Sequence, residues 1–234
     1  MRLSLDTREV GYVTIVRCNG RIVAGDESES LRTHVAWLLR DRRAVVLHLG
    51  DVGFIDSSGL GTIVRSLTSL RQAHGDLKLC NLPENIRKVL EVSHLAQLFD
   101  AHDSEEKAVA AFYGAGTRVA KPVRSGPGIL CLDRNADVLA YLRVLLLAAG
   151  YDVQTTTHAG DALMLTRVTH FDLVVVGPDV PLAARQSLHA ATGAIPLIEL
   201  GSEFSTLDAG EAGSGLLQQI ESRIKPRALT QEQR

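Results

Sequence analysis

The chain has 234 residues, 45% of them hydrophobic and 22% charged, with a formal net charge of −2. That length favours two domains over one, and the near-neutral balance lacks the positive field on which nucleic-acid binding rests. No apolar run approaches the roughly 20 residues of a membrane span, and the first residues lack the apolar core of a signal peptide, so a cytoplasmic protein without a membrane partner is expected.

In chain order, "YVTIVRC" (12–18) and "GRIVAG" (20–25) read as strands joined at Asn19-Gly20. "DESESLRTHVAWLLRD" follows as a helix, acidic in its first turn, with Leu31, Val35, Leu38 and Leu39 at helical spacing and Trp37 packed in its face. "AVVLHLG" (44–50) has the continuous apolar character of a central strand. Leu60, Ile63, Val64, Leu67 and Leu70 mark a helix from Leu60 to about Ala73. "LKLCNL" (77–82) is a strand, "PENIRKVLEV" a helix opened by Pro83, Leu98-Phe99 a short strand and "SEEKAVAAF" a last helix. Residues 114–127 mix glycine, proline and basic residues without an apolar pattern and read as a linker.

Beyond the linker "GILCLD" (128–133), "YDVQTTT", "FDLVVVG" and "PLIELG" read as strands. They alternate with the helices "NADVLAYLRVLLLAAG", "HAGDALMLTRVTH" and "SGLLQQIESRI", which implies a doubly wound parallel sheet. In the first of these helices Val138, Leu142, Leu145 and Leu146 should face inward, and residues 227–234 form a polar tail. Cys18, Cys80 and Cys131 are odd in number and widely spaced. They suit buried thiols rather than disulfides or a zinc site. No cofactor and no metal are expected.

The stretch that bears on function is "DSSGLG", Asp56 to Gly61. Three readings stand beside one another. Asp56, Ser57 and Ser58 could cap the following helix. With Gly59 and Gly61, each costly inside a helix, they could instead offer a flat helix start to a docking partner. A serine nucleophile is the third, but G-x-S-x-G fits neither Ser57 nor Ser58, and no phosphate-binding G-x-x-x-x-G-K-[ST] run occurs.

These residues carry a resemblance. Residues about 3–112, through the β-β-α-β-α-β-α order, the strand "VVLHLGDVGFID" and above all "DSSGLG", resemble a STAS domain of the anti-sigma-factor antagonist type. The resemblance implies that Ser57 accepts phosphate from a partner kinase that is also the anti-sigma factor, with Ser58 as the alternative. It also implies a partner surface of Asp56, Ser57, Ser58, Gly59, Gly61 and Thr62, and a serine phosphatase.

Residues about 128–225, through "ILCLDRNADVLAYLRVLLLAAGYDV", "AGDAL" and "FDLVVV", resemble a response-regulator receiver. Receiver chemistry needs an acidic pair after the first strand and an acceptor aspartate after the third. Here the acidic pair is reduced to Asp133 followed by Arg134, the acceptor position is Gly177 with Asp179 two residues on, and the Thr/Ser position is Gly201. The resemblance therefore implies a degenerate receiver, without phosphotransfer, that serves binding or dimerisation.

Together the expectations are an α/β protein with a STAS domain over 1–113, a linker over 114–127, a receiver-like (flavodoxin-type) domain over 128–226 and a tail. It is read as a non-catalytic partner-switching regulator that binds an anti-sigma factor/serine kinase until phosphorylated, with a homodimer left open. The alternative is a STAS scaffold or ligand-binding subunit of a larger assembly.

Overall fold

The computed structural model describes residues 2–114, 117, 119–120, 126–205 and 209–224. The chain divides into two compact units, Met1–Pro122 and Val123–Arg234. Most of the expected linker, including Lys121 and Arg124, and all of the expected tail lie outside the described residues.

The first unit runs β1 (Ser4–Val10), β2 (Val13–Ile22), α1 (Asp26–Leu38), β3 (Ala44–Ile55), α2 (Ser57–Gln72), β4 (Asp76–Cys80), α3 (Glu84–Val92), β5 (Asp100–His102) and α4 (Glu105–Tyr113). The sheet has the order β1-β2-β3-β4-β5; β1 and β2 are antiparallel and every other pair is parallel. Alternation along β3 sends Val45, Leu47 and Leu49 to one face, where they meet Leu31 and Val35 of α1, Ile63 and Leu67 of α2 and Ile86 of α3. Each fully buried side chain of this kind contributes about 1.5–3 kcal/mol. On the opposite face α4 covers the sheet, with Phe112 beneath the Lys78 ammonium at 4.9 Å and Glu105 at 3.8 Å from His48.

Besides the short strand expected at Leu98-Phe99, which lies at Asp100–His102, three expectations for this unit need correction. The hairpin turn lies at Gly11-Tyr12, where Gly11 has φ 63, and the strand Ser4–Val10 has no counterpart in the sequence reading. Asn19 and Gly20 are inside β2, and the signal there marks a bulge. Pairing with β3 shifts register on both sides of them, Gly20 takes φ +114, and a Cβ on it would stand 2.3 Å from the Arg2 carbonyl oxygen. Secondly, α2 begins at Ser57, three residues before the first apolar position of its buried face, while β3 ends at Ile55 as the strand "VVLHLGDVGFID" implied. Thirdly, Trp37 is 59% exposed, because the buried stripe of α1 is Leu31, Val35 and Leu38, and position 37 falls outside it.

The second unit runs β6 (Gly128–Leu132), α5 (Ala136–Ala148), β7 (Asp152–Thr156), α6 (Ala159–Val168), β8 (Leu173–Val176), α7 (Leu182–Thr192), β9 (Leu197–Glu199), a 3-10 turn (Ser202–Ser205) and α8 (Ala209–Arg223). Its sheet is parallel, in the order β7-β6-β8-β9. Leu139, Leu142 and Leu146 of α5 and Leu216 and Ile220 of α8 share one core with Ile129, Cys131, Leu173 and Val175, with Val138 and Leu145 only partly buried. The helix α7 was not legible from apolar spacing. It has no counterpart in the sequence reading, although Pro181 precedes its first turn and Gly193 follows its last with φ 55. All three cysteines are buried and free, and burial pushes each thiol up to about 12.

Candidate functional site

The candidate site is the start of α2. Extended backbone at Asp56 (ψ 179) turns the chain from β3 into the helix, and the Asp56 carboxylate is the cap: Gly59 N–H donates to its Oδ1 at 2.8 Å. Its Oδ2 accepts from Ala24 N–H at 2.9 Å, and Asp56 N–H donates to the Ile22 carbonyl at 3.2 Å. One side chain thus ties the helix start to the end of β2. The backbone N–H groups of Gly59 and then Ala24 hold the carboxyl below its usual range, with a smaller pull from the charge of Arg21.

With the cap supplied by Asp56 alone, the serines after it are spared that work. Ser57 and Ser58 occupy the first two helical positions, both are exposed, and neither hydroxyl has a hydrogen-bond partner among the described residues. The helix N-terminus behind them favours negative charge.

The remaining motif residues divide by accessibility. Gly59 is buried because α2 presses on β2; a Cβ there would lie 2.1 Å from the Ile22 carbonyl oxygen. Its close approach is therefore to the protein's own sheet. A Cβ on Gly61 would meet nothing within 4 Å. Thr62 is 1% exposed, donates to the Ser58 carbonyl at 3.0 Å and accepts from Arg65 at 3.3 Å. Gly59 and Thr62 thus shape the helix start from beneath, and the accessible surface is Asp56, Ser57, Ser58 and Gly61. A groove of about 250 Å³ between α1 and α2 has Ser58, Arg32 and Arg65 in its walls.

A hydrolytic serine would need a base. His34 pairs with Thr7 at 2.7 Å, His48 is buried beside Glu105, His102 lies 3.0 Å from Asp100, and His74 and His94 stand at helix ends with positive φ. Among the described residues no histidine bonds to Ser57 or Ser58.

Sequence reasoning missed a pair beside this site. Arg21 and Phe54 are register partners between β2 and β3, and the guanidinium carbon lies 5.3 Å from the centre of the ring, which is 47% exposed. Only the parallel pairing brings them together, so no local pattern in the chain announces them.

In the second unit Asp133 is completely buried. Its Oδ1 accepts from Asn135 N–H at 2.6 Å and its Oδ2 from Asp179 N–H at 3.3 Å. Gly177 is packed so closely that a Cβ on it would fall 1.7 Å from Asp133 Oδ2. Arg134 is exposed, as are Asp179 and Gly201. Arg185 of α7, also missed, holds the loop after β8 by donating to the carbonyls of Pro178 at 2.7 Å and Val180 at 2.9 Å, and it pairs with Glu199 at 3.0 Å. Among the described residues no group of three or more His, Cys, Asp or Glu is placed to hold a metal ion, and no helix is long and apolar enough to cross a membrane.

Residues 4–108 match the model of the STAS domain family. BtrV of Bordetella bronchiseptica, provisionally named an anti-sigma factor antagonist, is 34% identical over 99 residues, which are 42% of this chain and 85% of BtrV. The chain belongs to the anti-sigma factor antagonist family. The anti-sigma F factor antagonist of Paenibacillus polymyxa is 27% identical over 111 residues, 47% of this chain and 94% of that protein. Among solved structures, the antagonist SpoIIAA in its unphosphorylated form is 21% identical and covers 46% of this chain and 95% of its own, with a TM-score of 0.42. An anti-sigma factor antagonist from Mycobacterium paratuberculosis is 19% identical over 47% of this chain and 92% of its own, also at 0.42. SpoIIAA has been solved in both an unphosphorylated and a phosphorylated form.

Proposed function

We propose that the unmodified chain binds an anti-sigma factor that is also a serine kinase, through the accessible residues at the start of α2, and that phosphorylation of Ser57 ends this binding. The observation that carries the proposal is the pairing of an exposed, uncommitted Ser57 hydroxyl with a cap already supplied by Asp56. A phosphate there adds about −1.5 to −2 charges at pH 7 where the helix start tolerates them, so the fold persists while the surface gains negative charge. A partner surface fitted to the neutral serine must then bury or repel that charge, at a cost of several kcal/mol and hence orders of magnitude in affinity. Reversal requires a serine phosphatase.

The second unit is a receiver-like module held in one state. Its sheet order, with the first strand flanked by the second and third, supports the flavodoxin-type assignment. The buried Asp133 and the crowding at Gly177 support the absence of phosphotransfer. Such a module serves binding or homodimerisation.

The test compares Ser57→Ala and Ser57→Asp chains for affinity toward the kinase that modifies the wild type. Retained binding by Ser57→Ala and loss by Ser57→Asp supports the switch. Equal binding by both overturns it and favours a scaffold in which these serines are not modified.

A further inference from the structure

At the end of β2, the strand whose last residue, Ile22, packs against the start of α2, Arg21 is an arginine without a committed partner. Arg32 donates to Glu29 through two nitrogens, Arg65 donates to Thr62 at 3.3 Å, and Arg17 pairs with Asp51 at 3.2 Å. Among the described residues the Arg21 guanidinium makes no hydrogen bond or ion pair; it rests on Phe54. A cation over an exposed aromatic ring is a weak arrangement.

Position makes this significant. The residue after Arg21, Ile22, accepts the Asp56 N–H and touches Gly59, so the end of β2 lies along the first turn of α2. Arg21 is exposed at that edge, and its charge already reaches Asp56. Phe54 stands three residues before Ser57 on the adjoining strand. Each Asp56 oxygen already accepts a backbone N–H, and the guanidinium forms no ion pair with it.

We infer that Arg21 is the internal receptor for a phosphate on Ser57: in the unmodified chain it covers Phe54, and in the phosphorylated chain it leaves the ring to pair with the phosphate oxygens. Charge-assisted bonds between guanidinium and phosphate are among the strongest a surface arginine makes, and they displace an exposed cation–π contact. The modification then changes the partner surface twice. It adds negative charge at Ser57, and it withdraws a positive charge from Phe54 while baring the ring. The inference rests on Ser57 as the modified residue.

The experiment uses the full chain with phosphoserine encoded at position 57, so that no kinase is needed. The second ionisation of the phosphate is followed by phosphorus NMR in wild type, Arg21→Gln, Arg21→Lys and Arg65→Gln backgrounds, together with the ring resonances of Phe54. An upward shift of roughly half a pH unit or more is expected in Arg21→Gln, because a nearby cation favours the dianion. A smaller shift is expected in Arg21→Lys and none in Arg65→Gln, with the Phe54 resonances moving on phosphorylation only when residue 21 is arginine. The same ionisation in wild type and Arg21→Gln, or a shift that follows Arg65→Gln instead, overturns the inference. Because the phosphate is encoded, either outcome is independent of whether cells modify Ser57, and that question fails or stands on its own evidence.

Discussion

The carboxylate of Asp133 occupies the space that a side chain at position 177 would need: a Cβ built on Gly177 would lie 1.7 Å from Asp133 Oδ2. On the proposed receiver-like reading, the two positions that would share phosphotransfer work are one buried acid and one glycine that makes room for it. Placing an aspartate at 177 would therefore clash with Asp133.

Gly177→Ala is expected to destabilise the chain by about 1–3 kcal/mol through overpacking. Combining it with Asp133→Ala should recover part of that cost, because the two residues are in contact and their effects do not add. Denaturant unfolding of the two single variants and the double variant measures the coupling; strictly additive losses would contradict the steric account.

The two glycines of the helix start should respond in opposite directions. Gly59→Ala forces α2 away from the Ile22 carbonyl and should cost about 1–3 kcal/mol or more. Gly61→Ala enters open space within the helix and should gain up to about 1 kcal/mol. Urea midpoints for the two variants separate these outcomes.

Asp56→Asn keeps an acceptor for Gly59 N–H but loses the negative charge that serves both Gly59 and Ala24, so it should lower the unfolding midpoint by less than Asp56→Ala does. The folded carboxyl sits below its ordinary range, which fixes the sign of the pH dependence. Its contribution is complete above the unfolded value of about 3.9. It is lost as pH falls through the folded value. The gap between wild type and Asp56→Asn in thermal scans should accordingly narrow below about pH 4.

Substitutions at Ser57 should leave the fold nearly unchanged. The hydroxyl bonds to nothing among the described residues, so Ser57→Ala should fall within about 0.5 kcal/mol of wild type. Ser57→Asp should be neutral or stabilising by about 0.3–1 kcal/mol, because it places an anion at the helix N-terminus. Calorimetric melting of both variants checks this, and a large loss in either would mean that the serine is structural.

The legible parts of the fold were those written in local periodicity. The buried faces of α1 and α2 appeared as Leu31, Val35 and Leu38 and as Leu60, Ile63, Leu67 and Leu70. The strand Ser4–Val10 was hidden because its exposed residues alternate with only partly buried ones until Val10, which leaves little apolar signal. Asn19-Gly20 looked like a turn because a bulge needs the same backbone freedom. At the site, the Asp-Ser-Ser-Gly motif was visible, but the division of labour within it was not. That depends on Ala24 and Ile22 reaching Asp56 and Gly59 across the sheet, and on Arg21 meeting Phe54 by register, all of which are relationships between distant segments.

The most direct measurement is phosphosite mapping by mass spectrometry on the protein isolated from its native cells in growth and under stress. Phosphate on Ser57 in a proportion that changes with condition is the expected result. Ser57 unmodified in every condition would contradict the switch and favour the scaffold reading, in which these serines are not modified.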